Sequence, residues 1–89
     1  MTDELIMDLV AKGDLDKLTI LFEKYHPNLF NFFRKRGHQV SACEDLTQNV
    51  FERILKYRTS YQVSNSFRAW FFRIARNVEV DYFKQQKIN

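Results

Sequence analysis

The residues best suited to bind a ligand gather near the carboxyl end of this chain. In a helix over residues 66–87 that advances about 100° per residue, the apolar side chains fall within one arc: Phe67, Phe71, Ile74, Val78 and Tyr82. On the opposite side lie the cations Arg73, Arg76, Lys84 and Lys87, with Asn77 at one margin and Phe72 and Phe83 at the other. Cations neutralise phosphates, Asn reads base edges, and aromatic rings stack on unpaired bases. The pattern is compatible with nucleic-acid binding. A basic outer face is equally typical of a plain solvated helix, and pattern alone leaves both interpretations open.

Residues for catalysis or metal binding do not form a comparable group. His26 and His38 are twelve positions apart and Cys43 is the only cysteine, which is not the spacing of a zinc site. The sequence shows no glycine-rich phosphate loop, nucleophile elbow or paired catalytic carboxylates. We therefore expect no enzyme activity, no cofactor and no metal. Cys43 falls in the first turn of a predicted helix, a position that can lower the pKa of a thiol. We nevertheless expect Cys43 to be a small packing residue and not a reactive one.

Four amphipathic segments must position these residues, which predicts an all-α bundle of about four helices. The first runs over residues 3–12 and stops at Gly13. The second starts with Asp14 as N-cap and runs to Gly37, with a kink or a restart at Pro27. The third starts with a capping box of Ser41 and Glu44 and continues to about residue 58.

The rest of the chain reads as one long loop, over residues 59–65, and the fourth helix described above. Gly and Pro together number three, too few for the turns of an all-β fold. Trp70 lies at the edge of the apolar arc, and we expect it to be partly buried.

Length and charge indicate one small domain with two kinds of surface. The chain has 89 residues, enough for a single core. Residues 1–45 hold six Lys or Arg against eight Asp or Glu, a net charge of −2, whereas residues 46–89 hold eight against three, a net charge of +5. This division indicates two partners, one of which can be nucleic acid. Neither a signal peptide nor a membrane-spanning run is visible, so we expect a soluble cytoplasmic protein.

Three blocks of sequence resemble region 2 of the bacterial extracytoplasmic-function (ECF) sigma factors. Residues 44–51 read EDLTQNVF, close to the family's EDLTQEVF, and residues 67–77 read FRAWFFRIARN, close to FRxWLYRIARN. Residues 21–27, LFEKYHP, also follow the family's pattern, including the proline. The blocks occur in order at the family's spacing and cover nearly the whole chain.

The resemblance implies that the third helix docks on a coiled coil of the largest catalytic subunit of core RNA polymerase. The residues it assigns to that surface are Asp45, Gln48 and Glu52, with Phe51 and Leu55 as apolar neighbours. The three polar positions form one stripe of a helix, away from the core seam. Asn49 departs from the family, which usually has Glu there.

The resemblance also implies that the loop and the fourth helix recognise and melt the −10 promoter element and hold a flipped base of the non-template strand. For the base pocket it suggests Arg58, Tyr61, Ser64 and Asn65. For duplex and backbone contacts it suggests Arg73, Arg76, Asn77 and Lys84. Stacking of a flipped base on an aromatic ring is worth about 1–3 kcal/mol.

Members of this family continue through a linker into region 4, neither of which this sequence reaches, so we expect an isolated region 2 domain. An anti-sigma factor is the further partner that the resemblance implies. Either that factor or region 4 would cover Phe72 and Phe83. The competing interpretation is a helical protein–protein interaction module without DNA binding, whose contacts are these two rings.

Overall fold

Four α-helices make up most of the protein. The computed structural model describes the backbone of residues 1–88 and the side chains of residues 1–86. The helices are α1 (Asp3–Ala11), α2 (Leu18–Lys35), α3 (Val40–Tyr57) and α4 (Phe67–Ile88), with 3₁₀ turns at Leu15–Lys17 and Arg58–Ser60. The described residues contain no strand. The predicted all-α class is confirmed.

Glycine and capping residues set some of the helix ends. Thr2 caps α1 by accepting a hydrogen bond from the backbone N–H of Leu5 at 3.2 Å. Gly13 and Gly37 follow α1 and α2 with φ of +111° and +95°, a region that favours glycine because a Cβ is strained there.

Two predicted helix starts are wrong. The side chain of Asp14 makes no capping hydrogen bond, and a 3₁₀ turn separates it from α2. The predicted capping box of Ser41 and Glu44 is not formed, because α3 already begins at Val40 with Gln39 as its N-cap. Ser41 and Glu44 are therefore both residues within α3 and not its cap.

Helix α2 continues through Pro27, so of the two outcomes predicted for that residue, a kink or a restart, the restart does not occur. Proline removes one backbone donor from a helix and crowds the preceding turn. Because Pro27 is exposed, water can satisfy the carbonyl group that loses its helical partner.

The core is built largely from aromatic and branched side chains of all four helices. Phe67, Phe71 and Val78 of α4 are buried as predicted, whereas Ile74 and Tyr82 are only partly buried. The ring centroid of Phe71 lies 4.9 Å from that of Tyr25 on α2 and 5.7 Å from that of Phe51 on α3. Aromatic packing thus fixes α4 against the rest of the bundle.

The helices in the described part of the chain lack the combination of length and apolar character needed to cross a membrane.

Candidate nucleic-acid interface

The outer face of α4 is polar and basic, as the sequence predicts. Arg73, Arg76, Asn77 and Lys84 are all exposed. Lys87, the remaining cation predicted for this face, lies outside the residues whose side chains are described. Clustered cations on one helix face give the charge that a phosphate backbone requires.

The two aromatic residues expected at the margin of this face differ in their surroundings. Phe72 is partly buried: its ring centroid lies 5.5 Å from that of Phe32, and the Arg68 guanidinium lies 4.9 Å from the ring. Phe83 is 49% exposed, although its ring lies 5.4 Å from that of His38. The expectation of two exposed rings is therefore wrong for Phe72, which packs against α2.

A small pocket opens between the loop and the first turns of α4. It has a volume of about 230 Å³ and is lined by Asn65, Ser66, Ala69, Trp70 and Arg73. Two predicted DNA-binding residues, Asn65 and Arg73, are thus brought together beside a partly buried indole ring. An amide, a guanidinium and an aromatic edge are groups that can hold an unpaired base next to its phosphate.

Two other residues predicted for the base pocket face inward. Tyr61 is only 5% exposed; its hydroxyl donates a 2.6 Å hydrogen bond to the carbonyl of Asn65, and its ring centroid lies 5.1 Å from that of Trp70. Its ring is therefore part of the core and does not fit the predicted role of a stacking surface. Arg58 is partly buried and donates through Nη1 to the carbonyl of Leu55 at 2.7 Å. Of the four residues predicted for the base pocket, Ser64 and Asn65 are the exposed ones.

Helix α1 supports the loop and the start of α4. A Glu4 carboxylate oxygen accepts a 2.8 Å hydrogen bond from the backbone N–H of Phe67, the first residue of α4. Burial raises the pKa of the Tyr61 hydroxyl, and the nearby carboxylates of Glu4, Asp8 and Asp3 raise it further. The Tyr61 hydroxyl therefore stays protonated and continues to donate to the loop.

A second polar surface lies between α3 and α4. Asp45, Gln48 and Glu52 are exposed along α3, and Gln48 Nε2 donates to Glu52 Oε1 at 3.3 Å. These three residues line a groove of about 350 Å³ together with Asn49, Tyr82 and Gln85. The structure therefore places the predicted polar docking residues side by side and adds an amide, Asn49, to them.

The two apolar neighbours predicted for docking lie beside this stripe on α3 and line a different groove. Phe51 is 6% exposed and packs against Phe22 and Phe71, so it is mainly a core residue and not a surface contact. Phe51 and the partly buried Leu55 line a separate, mostly apolar groove of about 390 Å³ with Phe22, Leu15, Leu18 and Thr19.

A buried charged cluster that the sequence analysis missed joins α4 to the turn after α2. The Glu79 carboxylate accepts hydrogen bonds from Arg36 Nε at 2.8 and 2.9 Å and lies 2.7 Å from His38 Nε2. The hydrogen bonds from Arg36, together with the contact from His38 and the charge of Arg36, hold the pKa of Glu79 below its usual value despite burial. Helical spacing alone could not reveal this cluster: Glu79 lies outside the apolar arc predicted for α4, and its partners Arg36 and His38 are more than 40 positions away in the sequence.

Cys43 is a packing residue in the described core. Burial raises the pKa of its thiol, opposite to the effect expected of an activating helix start. Among the described residues, no three His, Cys, Asp or Glu side chains are arranged to hold a metal ion.

Comparison with known proteins gives a consistent family. A family model described as sigma-70 region 2 matches residues 21–88. The ECF RNA polymerase sigma factor SigX of Bacillus subtilis is 31% identical over 68 residues, covering 76% of this chain and 35% of SigX. SigW of the same organism, also an ECF RNA polymerase sigma factor, is 27% identical over 78 residues, covering 88% of this chain and 42% of SigW. This chain thus spans less than half the length of these relatives.

A solved structure shares the fold. An engineered region 2 of sigmaE, determined by NMR in complex with GTAAAA, superposes with a TM-score of 0.88 at 24% sequence identity. The match covers 98% of this chain and 90% of that one. The arrangement of the four helices is therefore the fold of that region 2 domain.

Proposed function

Because this chain belongs to the sigma-70 region 2 family, as a region 2 domain of the ECF type, we propose that it recognises and melts the −10 promoter element while bound to core RNA polymerase. The family and the two polar surfaces described above support both activities. One surface, on α4 and the loop, is basic, and the other, along α3, carries carboxylates and amides.

The observation that carries the DNA half of the proposal is the pocket formed by the loop and α4. It brings Asn65 and Arg73 next to Trp70, and the exposed Arg76 follows Arg73 on the same helix. A base flipped from the duplex costs a few kcal/mol of unstacking, which contacts with the base and its phosphates must offset. The pocket supplies polar groups for the base, and the α4 face supplies cations for the backbone.

Binding of a single-stranded non-template −10 oligonucleotide, measured by fluorescence anisotropy, tests this half. We expect Arg73→Ala and Arg76→Ala each to weaken binding and to lower the slope of log affinity against log salt concentration by about 0.7, the value for one single-strand phosphate contact. Lys12→Ala removes a single positive charge at the C-cap of α1 and should leave affinity and slope nearly unchanged. Binding that does not respond to salt would contradict the proposal.

The docking half rests on the exposed stripe of Asp45, Gln48 and Glu52. Carboxylates on a partner-facing helix can form charge-assisted hydrogen bonds with arginines, and Glu52 is already oriented by Gln48. We infer that this stripe contacts the coiled coil of the largest polymerase subunit. Leu55 supplies an adjacent apolar contact, and Phe51 supports it from the core.

A pull-down with the isolated coiled coil tests the docking half. Asp45→Arg should abolish or strongly reduce capture, because it places a like charge opposite the partner's arginines. Asp16→Arg, an equal charge reversal at an exposed position of the 3₁₀ turn after α1, is the matched control. Equal capture of both variants and the unaltered chain would exclude the stripe as the docking surface. An anti-sigma factor as a further partner remains a prediction from the family.

A further inference from the structure

A cleft lies on the flank of α4 opposite the pocket at Asn65 and Arg73, and neither role proposed above involves its lining residues. It lies between α2 and α4 and has a volume of about 320 Å³. Its lining residues are Asn28, Asn31, Phe32, Lys35, Arg68 and Phe72. The two amides and two cations are exposed, whereas the two rings are partly buried. The described side chains that line it include no carboxylate.

The polar rim of the cleft is built by helical spacing. Asn28, Asn31 and Lys35 occupy positions i, i+3 and i+7 of α2, so they form one stripe that faces the same opening. Amide groups can donate to base edges and to phosphate oxygens, and lysine neutralises a phosphate. The next acidic residue on this side of α4, Glu79, is buried and held by Arg36 and His38, so its charge is neutralised.

The floor of the cleft is aromatic and carries the guanidinium group of Arg68. The rings of Phe32 and Phe72 meet edge to face, with centroids 5.5 Å apart. The Arg68 guanidinium lies 4.9 Å from the centroid of the Phe72 ring. The Arg36 guanidinium lies 5.1 Å from the centroid of the Phe32 ring, but it pairs with Glu79 and does not line the cleft. Planar guanidinium groups held on aromatic rings are surfaces on which unpaired bases stack.

The cleft is continuous with the basic face of α4. Arg68, Phe72 and Arg76 follow one another at intervals of four residues and form one stripe. The pocket at Asn65 and Arg73 lies on one flank of this helix, the cleft lies on the other, and Arg76 is between them. Since a helix with its side chains is about 10–12 Å across, a strand of a few nucleotides that crosses α4 reaches both.

We propose that the α2–α4 cleft is a second subsite for a single nucleic-acid strand, which binds the phosphate backbone through Lys35 and Arg68 and a base through Asn28, Asn31 and the aromatic floor. This inference rests on the proposed DNA-binding function and extends it to residues outside the loop and the outer face of α4. The occupant is a nucleic acid and not an acidic peptide because amides and flat stacking surfaces accompany the cations.

Oligonucleotides of two lengths test the cleft with the full chain. A short probe is limited to the bases that the loop pocket holds, and a longer probe extends from them by several nucleotides. Asn31→Asp places a carboxylate in the cleft with almost no change in size, and Asn49→Asp on α3 is its matched control. Asn31→Asp should weaken binding of the longer probe by about fivefold and leave the shorter probe unaffected. Asn49→Asp should bind both probes like the unaltered chain.

Lys35→Gln provides a second measurement, with the exposed Lys56→Gln of α3 as its control. Lys35→Gln should lower the salt slope of the longer probe by about 0.7 and leave that of the shorter probe unchanged. Circular dichroism melts of all four variants establish that each is folded.

The outcomes separate the two proposals. If the cleft variants bind the longer probe normally while Arg73→Ala and Arg76→Ala weaken it, the cleft is not a subsite and the proposed function stands. If none of these variants changes binding, the proposed DNA-binding surface fails, and the cleft with it. If a labelled polyglutamate peptide binds the unaltered chain but not Asn31→Asp, while the longer oligonucleotide binds both proteins equally, the cleft is a protein contact and the proposal is overturned.

Discussion

Removing Arg36 should destabilise the fold strongly, because it leaves a carboxylate buried with one partner. The side chain of Glu79 is 4% exposed and that of His38 6%, whereas that of Arg36 is 47% exposed. Arg36 thus stabilises the Glu79 charge with two hydrogen bonds from Nε and a 2.7 Å contact from Nη2 while staying half in water itself. Its own desolvation cost is therefore small.

The loss expected for Arg36→Met is about 3 kcal/mol, the lower end of the range for breaking a buried ion pair, because His38 can still pair with the carboxylate. In a domain of this size each kcal/mol lowers Tm by about 4–8 °C, so the variant should melt about 12–24 °C lower at neutral pH. Thermal and urea unfolding followed by far-ultraviolet circular dichroism measure this. Arg76→Met removes an exposed arginine of α4 and should change stability by less than about 0.5 kcal/mol.

A second substitution distinguishes a buried charge from lost packing. In Arg36→Met with Glu79→Gln the carboxylate is gone, so the double variant should recover at least about half of the stability lost by Arg36→Met. A double variant as unstable as the single one would refute the buried-charge explanation.

The dependence on pH gives a third signature of the same cluster. The pKa of Glu79 is lower in the folded state than its usual value, so its contribution to stability is fully present above the unfolded pKa of about 4.3 and is lost as pH falls through the folded pKa. In Arg36→Met much of that contribution is already absent. The difference in unfolding free energy between the unaltered chain and Arg36→Met should therefore narrow as the solution is made acidic. A difference that does not change with pH would contradict the stabilisation of the Glu79 charge by Arg36.

Three further outcomes follow from single contacts. Gly37→Ala should cost about 1–2 kcal/mol in urea unfolding, since φ is +95° while the added Cβ would meet no other atom within 4 Å; an unchanged midpoint would show that the turn relaxes freely. Cys43 is buried and the pKa of its thiol is raised, so a thiol reagent should label it only as fast as the chain opens; rapid labelling of the folded protein would contradict its place in the core. Glu4→Ala should destabilise the fold by about 1 kcal/mol, because it removes the 2.8 Å hydrogen bond that caps the Phe67 N–H. Glu4→Gln keeps an acceptor oxygen and should lose less stability. Equal losses in the two variants would show that the cap contributes little.

Periodicity predicted the helices and the buried side of α4 correctly. The apolar arc of Phe67, Phe71 and Val78 is buried, because the spacing of side chains around a helix is a local property that packing does not change. The same helical spacing predicted that Arg73 and Arg76 lie on the outer face of α4, and both are exposed.

Helix starts and the loop were not predictable in the same way, because they depend on contacts between distant residues. Helix α3 begins before Ser41 because the preceding turn is fixed by His38, which is buried against Glu79 and whose carbonyl accepts a 2.7 Å hydrogen bond from Arg34 Nη1. The polar composition of residues 59–65 indicated an exposed loop, yet Tyr61 folds back against Trp70. Sequence spacing carries no signal for either contact.

Hydrogen bonds and ion pairs from three parts of the chain, called polar clamps below, hold α4 and its outer face in place. Glu4 of α1 caps its first residue, Arg36 and His38 hold Glu79, and Arg53 of α3 pairs with Asp81 at 2.6 Å.

Between these clamps the rings of Phe67 and Phe71 pack into the core, so α4 is fixed along most of its length before any ligand arrives. A preorganised surface avoids much of the ordering cost of binding. Substitutions on the exposed face should consequently report the loss of individual phosphate or base contacts, whereas substitutions in the clamps should change stability and affinity together. Measuring both quantities for Arg76→Ala and Glu4→Ala separates these two classes, and the reasoning fails if Arg76→Ala lowers stability as much as Glu4→Ala does.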